Sequence, residues 1–218
     1  MAQGGAEKLL FDIAGGDGDI FEHHVVTLLS DQPFFQLAPA RMHSLGVRRG
    51  RLALKPLSRL REHVKLLCPD VVHAWLYHGN FFSMFVVDLG APIIWSIHNT
   101  TLSPRHSKRL TRLVNRICAP LSRRIPARIV YCADLARRLH EGIGYDPGRG
   151  LVIENGVDVE AFRFDPAARL RLRRTIGLNA SDFAVGCIAR FDAQKNHRMV
   201  IEAFCRVCAM VPAQFVLA

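Results

Sequence analysis

Apolar and polar residues follow one another along this chain in blocks that alternate between strand length and helix period. Residues 24–29, 71–76, 93–98, 128–131 and 150–154 are short apolar runs rich in Val, Ile and aromatic side chains, and each reads as a strand. Helical spacing fills the intervals: Leu9, Leu10 and Ile13 before Gly15-Gly16, then residues 34–45, 57–67, 80–87 and 133–140. Strands that alternate with helices predict an α/β fold whose sheet is mainly parallel. A longer helix is predicted over residues 105–124, bent or interrupted at Pro120. Its stripe of Leu110, Leu113, Val114, Ile117 and Leu121 is expected to cover the sheet, while Arg105, Lys108, Arg109, Arg112, Arg116, Arg123 and Arg124 supply cations with no acid in the segment. Such a helix is also suited to lying on anionic lipid.

The pattern starts again after Asn155-Gly156, which reads as a turn. A connector over residues 156–181 carries one basic helix near residues 167–175, and a second sheet begins with the strand predicted at residues 183–188. Polarity then flips at Arg190, Asp192, Gln194 and Lys195, and Val200, Phe204, Val207, Cys208 and Val211 recur at helical spacing with Asn196 placed as N-cap. Residues 215–218 resemble another strand. A loop between a strand's carboxyl end and a helix's first turn is where open α/β sheets bind anions, because unpaired N–H groups and the helix dipole point there. Arg190 and Lys195 add two cations to that loop, so a diphosphate fits it; the alternative is a pair of solvated loop cations.

Composition narrows the picture without deciding it. At 218 residues, 50% hydrophobic and 22% charged, the chain is globular in type and long enough for one core and part of a second. Its formal charge of +10 suits a nucleic acid, an anionic membrane or a phosphorylated substrate. No nucleic-acid motif is present and the aromatics are not interleaved with the cations, which argues against nucleic acid. The six cysteines lack the density of a disulfide scaffold, which points to a reducing cytoplasm. Cys205 and Cys208 form a lone CxxC inside a predicted helix, and core packing is the expected role rather than zinc or redox chemistry. No secretory leader opens the sequence, and the most apolar window, residues 81–95, is broken by Asp88, Gly90 and Pro92 and cannot span a membrane. There are no repeats and no low-complexity tract.

Four motifs in order carry a resemblance over nearly the whole chain. GGAEKLL at residues 4–10, VIENGVDVEAF at 152–162, RLRRTIGL at 171–178 and VGCIARFDAQKNHRMVIEAF at 185–204 are similar to the retaining family 4 glycosyltransferases of the GT-B fold. The resemblance implies two Rossmann-like domains: an acceptor-side domain over residues 1–155 without its first strand, the connector at 156–181, and at 182–218 the start of a nucleotide-sugar-binding domain. It implies transfer of a hexose from a nucleotide sugar to a glycan or lipid-linked acceptor, with retention and without a bound metal or other cofactor. Cell-surface polysaccharide or glycolipid synthesis in the cytoplasm, peripheral on the inner face of the membrane, is the expected setting.

Site residues follow from the same resemblance. His98 closes the strand IIWSI, and a histidine at the matching strand end lies beside the transferred sugar and the acceptor. Its alternative is a histidine bonded to loop carbonyls. His73, Tyr77 and Asn99 are expected on the acceptor side, with His73 equally suited to a structural role. Arg190, Lys195, Gly4 and Gly5 are expected at the donor diphosphate. The family's paired glutamates would lie beyond Ala218, so the chain as given is expected to be catalytically incompetent, with apolar strand surface open near residues 215–217. An epimerase or phosphorylase of the same architecture, and a fragment that folds without activity, are the competing readings.

Overall fold

The computed structural model describes residues 4–16, 20–29, 41–47, 54–100 and 107–217. It divides into two compact units, Met1–Asn155 and Gly156–Ala218. The first contains α1 (Gly5–Gly16), β1 (Val25–Leu29), β2 (Met42–Val47), α2 (Leu54–Leu67), β3 (Val72–Trp75), α3 (Leu76–Ser83), β4 (Ile93–Ile97), α4 (Arg109–Leu121), β5 (Arg128–Tyr131), α5 (Asp134–Gly142) and β6 (Gly150–Val152). Every strand pairing is parallel: β1 with β2, and β3-β4-β5-β6 in sequence order.

Burial explains why these segments are strands. Ile93, Trp95, Ile97, Ile129 and Tyr131 are at most 2% exposed and form one core with Ala74, Val114 and Cys118. The Trp95 indole N–H would be costly to bury alone, and it donates to Ser83 Oγ at 2.8 Å. Parallel strands put all carboxyl ends on one edge, so Trp75, His98, Cys132 and Ile153 emerge together.

In the second unit, α6 (Pro166–Thr175), β7 (Ala184–Cys187), α7 (His197–Cys208) and β8 (Gln214–Leu217) follow, with β7 and β8 parallel. Asp165 caps α6 by accepting from the Ala167 and Ala168 amides at 2.8 and 3.0 Å, and Pro166 takes the first helical position, where a missing N–H is harmless.

Four expectations need correction. Residues 42–45, read as the end of a helix, belong to β2; the spacing of Met42, Leu45 and Val47 fits a helix locally, but pairing with β1 and full burial of Leu45 decide for a strand. The rest of that predicted helix lies outside the described residues. Asn196 precedes α7 but does not cap it: its backbone is left-handed at φ 48°, and its side chain makes no cap hydrogen bond. Cys205 and Cys208 are free and exposed rather than core, because the apolar contact of α7 runs through Phe204, whose ring stacks on Phe215 at 4.8 Å.

The fourth concerns α4, whose apolar stripe covers the core only in part: Val114 is buried and Leu121 packs against the core, while the other three residues face outward. Leu110 and Leu113 are 56% and 54% exposed, and Ile117 is exposed too, whereas Val114, Asn115, Cys118 and Ala119 are buried. Polar partners cause this rotation. Asn115 Oδ1 accepts from the Tyr145 hydroxyl at 2.7 Å, and Ser122 Oγ accepts from the Asp146 amide at 2.9 Å. Those bonds turn Asn115 and Ser122 inward and leave Leu110 and Leu113 outside.

Candidate functional site

The period of two along β3 and β4 assembles the site. His73 and Trp75 share one face of β3, and Ser96 and His98 share the same face of β4, because Trp75 pairs with Ser96 in the parallel register. The opposite face carries Ala74, Ile93, Trp95 and Ile97 into the core. At the carboxyl edge the His98 ring lies flat on the Trp75 indole, with centroids 4.7 Å apart and planes 5° from parallel. His73 tilts against the same indole at 4.9 Å, and its Nε2 is 2.5 Å from Ser96 Oγ.

His98 itself is unusual. Both ring nitrogens are buried, and neither has a hydrogen-bond partner among the described residues. Buried polar atoms are nearly always paired, so a buried imidazole with both nitrogens unpaired is an exception at this sheet edge. Desolvation lowers its pKa, and it is neutral at pH 7, able to donate from one nitrogen and accept at the other. His73 is lowered further, to about 4, first by desolvation and then by His98.

Tyr77, expected on the acceptor side, turns inward. It is 2% exposed and belongs to the core. The His140 Nδ1–H donates to the Ala136 carbonyl at 2.7 Å, which leaves Nε2 to accept from the Tyr77 hydroxyl at 2.7 Å. Asn99 is exposed and follows His98 directly in sequence.

Three of these histidines, His73, His98 and His140, have pKa values lowered by burial. In the unfolded chain they titrate near 6.5, so below that pH the unfolded state takes up protons that the folded state refuses. Their contribution is complete above pH 6.5 and is lost as pH falls through the folded values, for His73 through about 4. The urea midpoint is expected to drop across that window, and to drop less in His73→Asn. An equal drop in both proteins would remove His73 from the linkage.

The remaining candidates lie elsewhere. Gly4 precedes α1 and Gly5 opens it; no atom lies within 4 Å of a Cβ placed on Gly5. Glu7 stands in the same first turn and already supplies an anion to that helix end. In the second unit, Arg190 follows β7, and Lys195 ends a 3-10 turn at Ala193–Lys195. Both are exposed, and neither is ion-paired among the described residues. No group of metal-ligating side chains occurs among the described residues.

Trp75 and Ser96 were not singled out from the sequence. Their signal was the alternation itself, which puts His73 and Trp75 two residues apart on one strand, and Ser96 and His98 likewise on the next.

Known proteins place this architecture. Residues 3–161 match the model of Glycosyltransferase Family 4. A D-inositol 3-phosphate glycosyltransferase of Geodermatophilus obscurus is 36% identical over 81 residues, which cover 37% of this chain and 18% of that protein. The Anabaena protein Alr3699/HepE, solved with UDP-glucose, superposes with a TM-score of 0.78 at 22% identity, covering 99% of this chain and 57% of its own. Sucrose-phosphate synthase of Thermosynechococcus elongatus superposes at 0.67 with 12% identity, covering 96% of this chain and 54% of its own. The chain thus spans just over half the length of these two structural relatives. Its α/β units with parallel sheets are part of a GT-B fold, and the family match spans most of its length: the chain belongs to glycosyltransferase family 4.

Proposed function

We propose that this chain carries the sugar-facing edge of a retaining hexosyltransferase that uses a nucleotide sugar, with UDP-glucose as the first donor to test. The observation behind this reading is His98, whose two unpaired, buried nitrogens stand at the carboxyl edge of a parallel sheet. In the reaction, the bond between the anomeric carbon and the diphosphate oxygen breaks, and its electron pair leaves with the diphosphate. The acceptor hydroxyl oxygen bonds to that carbon on the same face and releases its proton. Charge grows on the leaving group, so fixed cations and amide N–H groups that meet it lower the barrier. Arg190 and Lys195 are the cations assigned to it, with Gly4 and Gly5 giving a backbone approach. His98 bonds hydroxyls of the transferred sugar, and His73 and Asn99 line the acceptor side. No cofactor is assigned.

The test is a transfer assay with a panel of nucleotide sugars, run on this chain and on a version extended to the length of its structural relatives. The anomeric configuration of the product is read by NMR. Transfer with retention from at least one donor is expected. An extended protein that releases free nucleotide from none of them overturns the proposal.

The acceptor is assigned as a glycan or lipid-linked sugar at an anionic membrane surface, and α4 supports this. Leu110, Leu113 and Ile117 are exposed beside Lys108, Arg109, Arg116, Arg123 and Arg124. No helix among the described residues is long and apolar enough to cross a membrane, so attachment through this helix would be peripheral. Each basic residue near the surface is worth about 1 kcal/mol at low salt. Co-sedimentation with vesicles containing anionic lipid is expected, weakened by salt and by replacing Leu110 and Leu113 with Gln. Equal binding to neutral and anionic vesicles would remove the membrane from this reading.

A further inference from the structure

We propose that Trp75 is a positioning residue for His98, holding the imidazole plane fixed at the sheet edge so that its nitrogens meet the sugar in one orientation. The inference rests on the assignment of His98 to the sugar, and deepens it.

A histidine's terminal torsion has broad, shallow wells, so a ring without hydrogen bonds does not hold its own orientation. His98 has no such bonds among the described residues, and the near-parallel Trp75 indole is the flat surface its ring rests on. Trp75 is itself clamped. It ends β3, and α3 begins at the next residue with no intervening loop. The turn is made by Leu76 at φ 62°, a left-handed conformation that a bulky side chain rarely adopts and that surrounding structure must hold. Asn80 supplies that hold. It is fully buried, and with its amide nitrogen facing the turn it donates to the Ala74 carbonyl at 3.0 Å and the Leu76 carbonyl at 3.2 Å. His73 also packs against the indole and is anchored by Ser96. The column His73–Trp75–His98 is therefore fixed from strand, turn and neighbouring strand together.

The stack also shields one whole face of the imidazole from water. This desolvation disfavours the imidazolium. Trp75 thereby sets both the plane of His98 and its neutral state, and both should change when the indole is removed.

The test uses imidazole NMR and tryptophan emission on the full chain, in wild type, Trp75→Phe, Trp75→Leu and His98→Gln, each also with His73→Asn to remove the second ring. The His98 titration midpoint is expected to rise toward the value of a free histidine in Trp75→Leu, and to stay near wild type in Trp75→Phe. Wild-type emission should change with pH at the His98 midpoint, and that change should vanish in His98→Gln. With the extended protein, Trp75→Leu should lower kcat about 10-fold with little change in donor KM, and Trp75→Phe should restore most of it. A His98 midpoint that is the same in wild type and Trp75→Leu overturns the proposal, as does an emission titration that persists in His98→Gln. Titrations that behave as expected in a protein that transfers no sugar would uphold the clamp and remove the transferase reading instead.

Discussion

His98→Gln in the extended enzyme is expected to lower kcat by about 100-fold while leaving the fold and nucleotide binding intact. The reasoning starts from the strand. IIWSI buries its odd-numbered residues in the core, and the next residue of the other face beyond Ser96 is His98, at the edge where the sheet ends. Glutamine retains a donor and an acceptor, but on a flexible arm that cannot stack flat on Trp75. Preorganisation is what the substitution removes. Because both nitrogens lack partners among the described residues, no structural hydrogen bond is lost, and the urea midpoint should move little. A kcat within a factor of three of wild type would place the chemistry elsewhere. A collapse of stability alongside the loss of activity would mean that His98 is a structural residue.

The same strand shows what the sequence made legible. Short apolar runs bounded by polar turns identified β3, β4, β5 and β6 to within two residues at each end, because a strand buried among neighbours has no use for polar side chains. Segments whose fate depends on a distant partner were harder. Met42–Val47 has a local pattern that serves a helix as well, and only pairing with β1 selects the strand. In α4 only Val114 and Leu121 of the predicted stripe meet the core, since Asn115 and Ser122 are drawn inward by Tyr145 and Asp146, about 25 to 30 positions further along the chain. Hydropathy has no means of registering such a partner.

The candidate site divides along similar lines. His98 was visible from its place at a strand end. The indole beneath it was hidden, because Trp75 looks like one more core aromatic until the register with β4 is known. The burial of Tyr77 was hidden as well: it follows the strand closely in sequence, but the abrupt turn at Leu76 sends it back into the core toward His140.

Replacing Arg190 and Lys195 together by Ala is expected to weaken binding of a nucleoside diphosphate by about 100-fold or more, the largest binding effect anticipated for any pair of positions here. Each charge-assisted contact to a phosphate is worth about 1.5 kcal/mol at the low end, and two of them correspond to about 3 kcal/mol. Local structure places Lys195 just before the start of α7. The Lys195 amide bonds the Asp192 carbonyl at 2.9 Å and the Asn196 amide bonds the Ala193 carbonyl at 3.3 Å, closing a tight turn just before α7. Asn196 then takes a left-handed backbone, which Asn tolerates better than most residues, and lets α7 start directly at His197. Because the Asn196 side chain makes no cap hydrogen bond, the first-turn amides of α7 are not engaged by it and can meet an anion. The proposed site joins that helix end to the two cations. Exposed charges are screened, so part of the effect should fade as salt rises from low to physiological ionic strength. Calorimetry with UDP on the extended protein and on the double variant measures the difference directly. Asn196→Ala should weaken binding by a smaller factor, by straining the turn without removing charge. Equal dissociation constants for wild type and the double variant would exclude both cations from the diphosphate site and return them to the solvated surface.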